Sequence, residues 1–398
     1  MRIGIDATTW WNRRGFGRFT RRLLQAMFEQ NFGHQFILFV DHPPTPEMVR
    51  ENVRVVNVRT SATVTDAAVA DDNRTIRDIW AFRRTVRRER PDVMYFPAVY
   101  SWFPVGPGIP TVVTFHDAIA EHFTPLVFPN RRGRVLWNIK TWLAKRSATR
   151  ITTVSHAAAA EIERFLAIPR RELAVIYEAA GHQFAPVTAT SSRRALRDRL
   201  GILPGRRYIL YVGGIAPHKN LDGLVRAFAL AADSPNMSDV DLVFAGDPAG
   251  DGFHSSHGSL LKLIAGLPAI SSRVSFTGFV PDEDLPTLYS DALAVAMPAF
   301  SEGFGLPAVE AIACGTPVIA TGGGAVAEIV GEAGRFFDPN DTSSIAKVIL
   351  EIATEPQLVE YLRSRCLERA QRFSWTNSAL AMVQVLEQAQ RGGRCGSV

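Results

Sequence analysis

The stretch Ser301-Glu302-Gly303-Phe304-Gly305-Leu306-Pro307-Ala308-Val309-Glu310-Ala311 follows a strand-sized apolar run ending near Pro298 and opens a helix that Gly315 terminates. A strand, a glycine turn and a helix in that order make the joint of a βαβ unit, and ligands of open α/β sheets bind at this carboxyl edge. Pro307 suits the first helical position, where a missing N–H costs nothing, so the amides of Phe304, Gly305 and Leu306 can face an anion at the positive helix end. Gly303 and Gly305 let that anion approach the backbone. Glu302 precedes the helix and Glu310 is expected in its first turn, both pointing into one pocket, and carboxylates with several acceptor sites suit sugar hydroxyls. Taken alone, the two glutamates also read as surface acids at a helix dipole.

Working outward, short β-branched runs alternate with longer amphipathic segments, the pattern of parallel sheets. Strands are expected at Arg2–Asp6, Gln35–Val40, Val53–Val58, Val93–Phe96, Thr111–Phe115 and Arg150–Val154 in the first half. In the second half they recur at Tyr208–Val212, Val240–Ala245, Val274–Phe276, Leu293–Met297 and Val318–Ala320. Each half therefore reads as a doubly wound α/β unit, with a Pro-containing hinge from Pro186 to Ser192 and a boundary near residue 183. A last helix over about 376–391 precedes a frayed end at Arg391–Val398.

Other candidates gather at strand ends. Tyr208–Val212 runs into Gly213-Gly214, then Ile215-Ala216-Pro217-His218-Lys219-Asn220. A lysine there can counter phosphate as a point charge; alone it would read as a surface lysine, but it shares a strand edge with the glutamate loop. His116-Asp117 follows Thr111–Phe115, where a histidine can hold a hydroxyl or carry a proton, or merely close a strand. Ser155-His156 opens a helix that Ser155 alone can cap. Gly15-Phe16-Gly17-Arg18-Phe19-Thr20 is a weak dinucleotide pattern, supported by Asp41 but opposed by the eight residues, Ala7–Arg14, that separate it from the first strand.

The chain has 398 residues, 46% hydrophobic and 21% charged, with a mean hydropathy of +0.02. That is long enough for two domains and excludes disordered, fibrous and disulfide-framed classes. No apolar run reaches the length of a membrane-spanning helix, and Met1–Asp6 reads at once as a strand, which predicts a cytoplasmic protein without a leader. Cys314, Cys366 and Cys395 lack metal or disulfide spacing and are expected to be reduced thiols. Residues 1–185 hold 26 Lys and Arg against 17 Asp and Glu, a net of +9, whereas 186–398 hold 18 against 22, a net of −4. In the basic half, Trp10, Trp11, Arg13, Arg14, Arg18, Arg21 and Arg22, then Arg83 to Arg90, then Arg131 through Arg146 with Trp137 and Trp142 read either as solvated helix faces or as a surface for anionic lipid. No nucleic-acid signature accompanies them.

Together these residues resemble the retaining nucleotide-sugar glycosyltransferases of family 4, in their mannosyl and rhamnosyl branch. The resemblance covers nearly the whole chain: Gly15-Phe16-Gly17-Arg18, His116-Asp117, Val154-Ser155, Tyr211-Val212-Gly213 with Lys219, and Glu302 to Thr321. It implies the GT-B fold, two facing Rossmann-like doubly wound parallel-sheet domains with an interdomain active-site cleft. Residues 1–183, joined by the last helix, would bind the acceptor, and 184–375 the nucleotide-sugar donor. Carried over, Glu310 would hold the ribose hydroxyls and Glu302 the sugar hydroxyls. Lys219 and the backbone of Gly15, Phe304 and Leu306 would bind the diphosphate, with Gly17, Gly214, His218, Gly303 and Gly305 beside it. His116 would touch the transferred sugar and Phe279-Val280 the base, so that Glu302, His116 and Lys219 form the catalytic set. The family's arginine beside the lysine is replaced here by Gly214 and His218; His218 is expected to serve as a weaker, pH-dependent partner, or Arg18 to take the place. No metal and no cofactor are expected. The implied activity is hexosyl transfer, preferably from GDP-mannose, to a saccharide or lipid-linked acceptor of a surface polysaccharide or glycolipid at the inner membrane face. UDP-sugar transfer, an epimerase of the same architecture, an NAD-dependent dehydrogenase and a catalytically dead sugar-nucleotide sensor are the alternatives.

Overall fold

A computed structural model describes residues 1–12, 15–30, 32–60, 75–128, 131–246 and 256–392. Arg13, Arg14, Cys395 and the end of the chain from 393 lie outside the described residues. The chain divides into two units, Met1–Glu178 with Ser374–Val398, and Ala179–Phe373. Ser378 Oγ donates to the Tyr177 carbonyl at 2.6 Å, which keeps the chain through Tyr177 with the first unit. Val187 N donates to Ser290 Oγ at 2.9 Å, and the Phe184 ring lies 6.0 Å from that of Tyr289, which ties 184–187 to the second. The expected hinge is partly helical, since a helix starts at Thr190.

The first unit contains β1 (Arg2–Asp6), β2 (Gln35–Val40), β3 (Val53–Asn57), β4 (Val93–Phe96), β5 (Thr111–Thr114), β6 (Arg150–Thr153) and β7 (Leu173–Val175). All pair in parallel in the order β3-β2-β1-β4-β5-β6-β7. Ile5 pairs with Leu38 on one side and Tyr95 on the other, and all three side chains are fully buried. Apolar runs such as Phe36–Val40 do not alternate because helices cover both faces of such a sheet. The last helix, Trp375–Gln390, packs on the Gly15–Glu29 helix, with Phe19 and Trp375 ring centroids 6.1 Å apart and His34 Nε2 3.0 Å from Glu387 Oε1.

The second unit contains β8 (Arg207–Val212), β9 (Val240–Ala245), β10 (Val274–Gly278), β11 (Ala294–Met297), β12 (Val318–Thr321) and β13 (Gly334–Phe337), parallel in the order β10-β9-β8-β11-β12-β13. The strands β7 and β13 are not among the expected ones: both lie at a sheet edge, where Ala174 and Val175 are only half-buried and Arg335 and Phe336 are exposed, so the apolar run of a covered strand is missing. In each sheet the winding reverses beside the first strand, between β1 and β4 and between β8 and β11. The crevice at such a reversal is where open α/β sheets bind ligands.

Candidate active site

Lys219 and Glu302 meet at the second reversal. Lys219 ends a short 3-10 turn after β8, and Glu302 follows β11. Their side chains form an ion pair, Nζ to Oε1 at 2.7 Å, with 20% and 15% of each exposed. The backbone fixes this meeting before the side chains do. Phe300 N donates to the His218 carbonyl at 3.0 Å, locking the lysine turn to the glutamate loop. Thr321 Oγ1 donates to the Ala299 carbonyl at 2.8 Å, which adds the end of β12. Asn220 adopts the left-handed conformation at φ 54°, and its amide donates to the Pro339 carbonyl at 2.9 Å. Glu302 is felt beyond Lys219: burial, and then the nearby Glu302 charge, push the Tyr211 hydroxyl well above its usual range.

The glutamate loop turns into the helix Leu306–Ala313 through Gly305, at φ 95° and ψ 57°. Only glycine adopts this backbone readily, and an added Cβ would also stand 3.0 Å from Val326 Cγ2. Pro307 is the second helical residue rather than the first, and Glu310 lies in the second turn rather than the first. The amides that begin a helix have no partner within it, so this end keeps its capacity for an anion.

The two glutamates go different ways. Glu310 is 2% exposed, and the Tyr289 hydroxyl donates to its Oε2 at 2.9 Å. An ionised carboxylate has about four acceptor positions, a chemistry that suits hydroxyl groups. Tyr289 is a site residue the sequence did not disclose; nothing in Leu285–Asp291 sets this tyrosine apart from core tyrosines such as Tyr208. Cys314, at the C-terminal end of the same helix, is buried, and burial with the Glu310 charge pushes its thiol up to about 12. It is inert at neutral pH, as is buried Cys366.

His218 does not carry the missing positive charge. It is 7% exposed, and burial together with the Lys219 charge pushes it down to about 3, so it is neutral near pH 7. It can offer a hydrogen bond there, not a pH-dependent cation. Gly214 is exposed, and a side chain there would meet no described atom within 4 Å of its Cβ. Along the same edge Gly246 lets the strand ends crowd together, since a Cβ on it would lie 2.1 Å from the Gly213 carbonyl oxygen. Beyond Gly278, Phe279 is 58% exposed and Val280 5%. Phe304 is buried edge-on against Phe373, their centroids 5.9 Å apart.

In the first unit, His116 follows β5 and is 8% exposed. Its Nε2 lies 2.9 Å from the Pro97 carbonyl and therefore carries the proton, while Nδ1 stands 3.8 Å from Glu178 Oε1. Phe19 meets the imidazole edge-on at 4.8 Å. Asp117 Oδ1 accepts from Ile119 N at 2.9 Å. Ser155 caps its helix by accepting from Ala158 N at 2.9 Å. Gly15 is exposed at the start of the Gly15–Glu29 helix, whereas Gly17 is buried within it, where a Cβ would lie 2.0 Å from the Asn12 carbonyl oxygen. Packing alone explains that glycine. Asp41 lies 2.8 Å from His42 Nδ1. Among the described residues, no three His, Cys, Asp or Glu side chains gather as they would around a metal ion.

Comparison with known proteins accounts for both units. The Glycosyltransferase Family 4 model matches residues 13–180, and the model for Glycosyl transferases group 1 matches 192–373. O-antigen chain mannosyltransferase B of Escherichia coli is 32% identical over 266 residues, 67% of this chain and 67% of that protein. The chain belongs to glycosyltransferase family 4. The serotype-specific mannosyltransferase WbdA of Escherichia coli is 29% identical over 234 residues, 58% of this glycosyltransferase but only 28% of WbdA. Among solved structures, the sucrose-phosphate synthase of Thermosynechococcus elongatus superposes with a TM-score of 0.76 at 20% identity, covering 99% of the family 4 chain and all of its own. That likeness shows the two-sheet GT-B fold of this glycosyltransferase, and among its described residues no helix is long and apolar enough to cross a membrane.

Proposed function

We propose that this enzyme is a retaining, metal-independent hexosyltransferase that takes its sugar from GDP-mannose and passes it to a saccharide or lipid-linked acceptor of a surface polysaccharide or glycolipid. The observation that carries the reading is the Lys219–Glu302 pair at 2.7 Å on the β8/β11 reversal, beside the amides that open the Leu306–Ala313 helix. In this reading the second unit holds the donor. Glu310 accepts from the ribose hydroxyls, Glu302 from the sugar hydroxyls, and the main chain around Phe279 and Val280 receives the base. Lys219 and the amides of Phe304, Gly305 and Leu306 face the diphosphate. The bond from the anomeric carbon to the diphosphate breaks, the acceptor oxygen bonds the same face of that carbon, and the leaving phosphate takes the acceptor's proton. Lys219 and the helix end act by stabilising the charge that gathers on the leaving group. The roles that the resemblance gives to Gly15 and His116 in the first unit belong to the same proposal. The mannosyltransferase names of the two Escherichia coli relatives favour mannose as the sugar.

Thermal denaturation with GDP, UDP, dTDP, ADP and NAD, each with and without EDTA, tests this. A ligand at 100 times its dissociation constant adds about 2.7 kcal/mol of stability. The expected result is a shift with GDP that EDTA leaves intact. A shift with UDP instead replaces the donor, one abolished by EDTA overturns metal independence, and no shift with any nucleoside diphosphate overturns donor binding.

A further inference from the structure

The helix Arg131–Ser147 turns its apolar stripe away from the protein. Gly133, Trp137, Thr141 and Ala144 are its buried residues, at the spacing of one face. Trp137 anchors that face: its Nε1 donates to Glu121 Oε1 at 2.7 Å, and its ring lies 5.0 Å from that of Tyr100. Another face carries Val135, Leu136, Ile139, Trp142 and Leu143, exposed by 54%, 40%, 51%, 55% and 40%. A surface helix normally does the reverse and spends its large apolar residues on the core. The two tryptophans, alike in sequence, thus have opposite duties.

Charge selects what covers the stripe. The helix has 17 residues, six of them basic and none acidic. Lys140 and Lys145 lie partly folded back, Lys140 donating to the Tyr100 carbonyl and Lys145 Nζ to the Leu166 carbonyl at 2.8 Å. Arg131, Arg132, Arg134 and Arg146 are exposed, with the Arg146 guanidinium 5.9 Å from the centre of the Trp142 ring. An exposed apolar stripe flanked by arginines, with a tryptophan in it, is the arrangement of a helix lying in a lipid headgroup layer.

We infer that the Arg131–Ser147 helix docks the enzyme on an anionic lipid surface, with Val135, Leu136, Ile139, Trp142 and Leu143 entering the acyl boundary and the arginines at the headgroups. This goes beyond the donor reading and does not depend on it, because docking is measured without nucleotide.

The test is flotation of the full chain with phosphatidylcholine vesicles, with and without about a third phosphatidylglycerol. The wild type should float with the anionic vesicles only and detach as salt rises. The pair Ile139→Glu with Trp142→Glu should lower the partition coefficient at least about tenfold, and Arg132→Gln or Arg146→Gln about fivefold each at low salt. A second readout needs no loss of binding: phosphatidylglycerol with brominated chains should quench wild-type tryptophan fluorescence, and Trp142→Phe should still float but lose most of the quenching. Failure of the wild type to float, unchanged flotation of the double variant, or full quenching in Trp142→Phe would overturn the inference. A wild-type dimer in sedimentation equilibrium that the double variant dissociates, without vesicle binding, would assign the stripe to a second copy instead.

Discussion

The Tyr289 hydroxyl donates to Glu310 Oε2 at 2.9 Å, joining the helix Leu285–Asp291 to the helix that carries the glutamate. Tyr289 is itself fixed, because Thr316 Oγ1 donates to its carbonyl at 2.7 Å and its side chain is fully buried. The Glu310 carboxylate is therefore oriented before any ligand arrives, and orientation already in place is not lost as entropy on binding. Tyr289 is a positioning residue in this reading, and its effect has to pass through Glu310.

Tyr289→Phe should accordingly weaken nucleoside diphosphate binding by about tenfold, as the loss of one charge-assisted hydrogen bond implies, while kcat at saturating donor stays close to wild type. Glu310→Ala should weaken binding further, and adding Tyr289→Phe to it should then change little. Calorimetric titration of the four proteins checks this. Equal affinity in wild type and Glu310→Ala would remove Glu310 from the ribose.

Lys219 and Glu302 should separate activity from stability. Their pair lies between the exposed and the buried case, with 20% and 15% of the side chains exposed, and losing it costs about 1–2 kcal/mol. The same lysine facing a leaving diphosphate is worth about a hundredfold to a thousandfold in kcat. Lys219→Ala should therefore lower turnover by that much and leave the melting temperature within a few degrees of wild type. Glu302→Ala should likewise lower turnover more than nucleotide affinity. A loss of activity that simply tracks a loss of folded protein would place the pair among structural contacts.

Much of the backbone that frames this candidate site was legible in the sequence, and the reason is backbone chemistry. Gly305 marks a left-handed residue, Gly315 a helix end at φ 74°, and apolar runs such as Val240–Ala245 mark strands covered on both sides. What escaped depends on partners far away in the chain. Tyr289 reaches Glu310 across 21 residues, and it is mainly the burial imposed by the fold, with the neighbouring Lys219 charge, that pushes His218 down. Gly17 carries the look of a ligand loop, yet the carbonyl of Asn12 explains it. Trp137 and Trp142 differ by five positions and stand on opposite sides of one helix, a difference that hydrophobicity alone does not announce.

Gly214 offers room to restore the positive charge that His218 does not supply. Its φ lies outside the left-handed region and its Cβ position meets no described atom within 4 Å, while the Tyr211 hydroxyl bonds only its carbonyl, at 2.7 Å. Gly214→Arg should keep wild-type stability and tighten nucleoside diphosphate binding by about fivefold at low salt, a gain that screening removes at high salt. Affinity that does not change at any ionic strength would mean that the diphosphate does not lie beside this turn.

Glu121 should leave a mark on the pH dependence of stability. Burial pushes its carboxyl up to about 7, with nearby Asp117 acting in the same direction, although the Trp137 N–H bond opposes the rise. The unfolded chain releases this proton near 4.5. Between those two values the folded state holds more protons than the unfolded one, so this group makes stability fall as pH rises from about 4.5 through about 7, with no further loss above. The whole effect is at most about 3 kcal/mol. Glu121→Gln keeps an oxygen acceptor for Trp137 and has no proton to lose, so its urea midpoint should vary less than wild type between pH 5 and pH 8. Parallel pH profiles for the two proteins would show that Glu121 is already ionised at pH 5 in the folded chain, and would remove the buried acid from the foot of the Arg131–Ser147 helix.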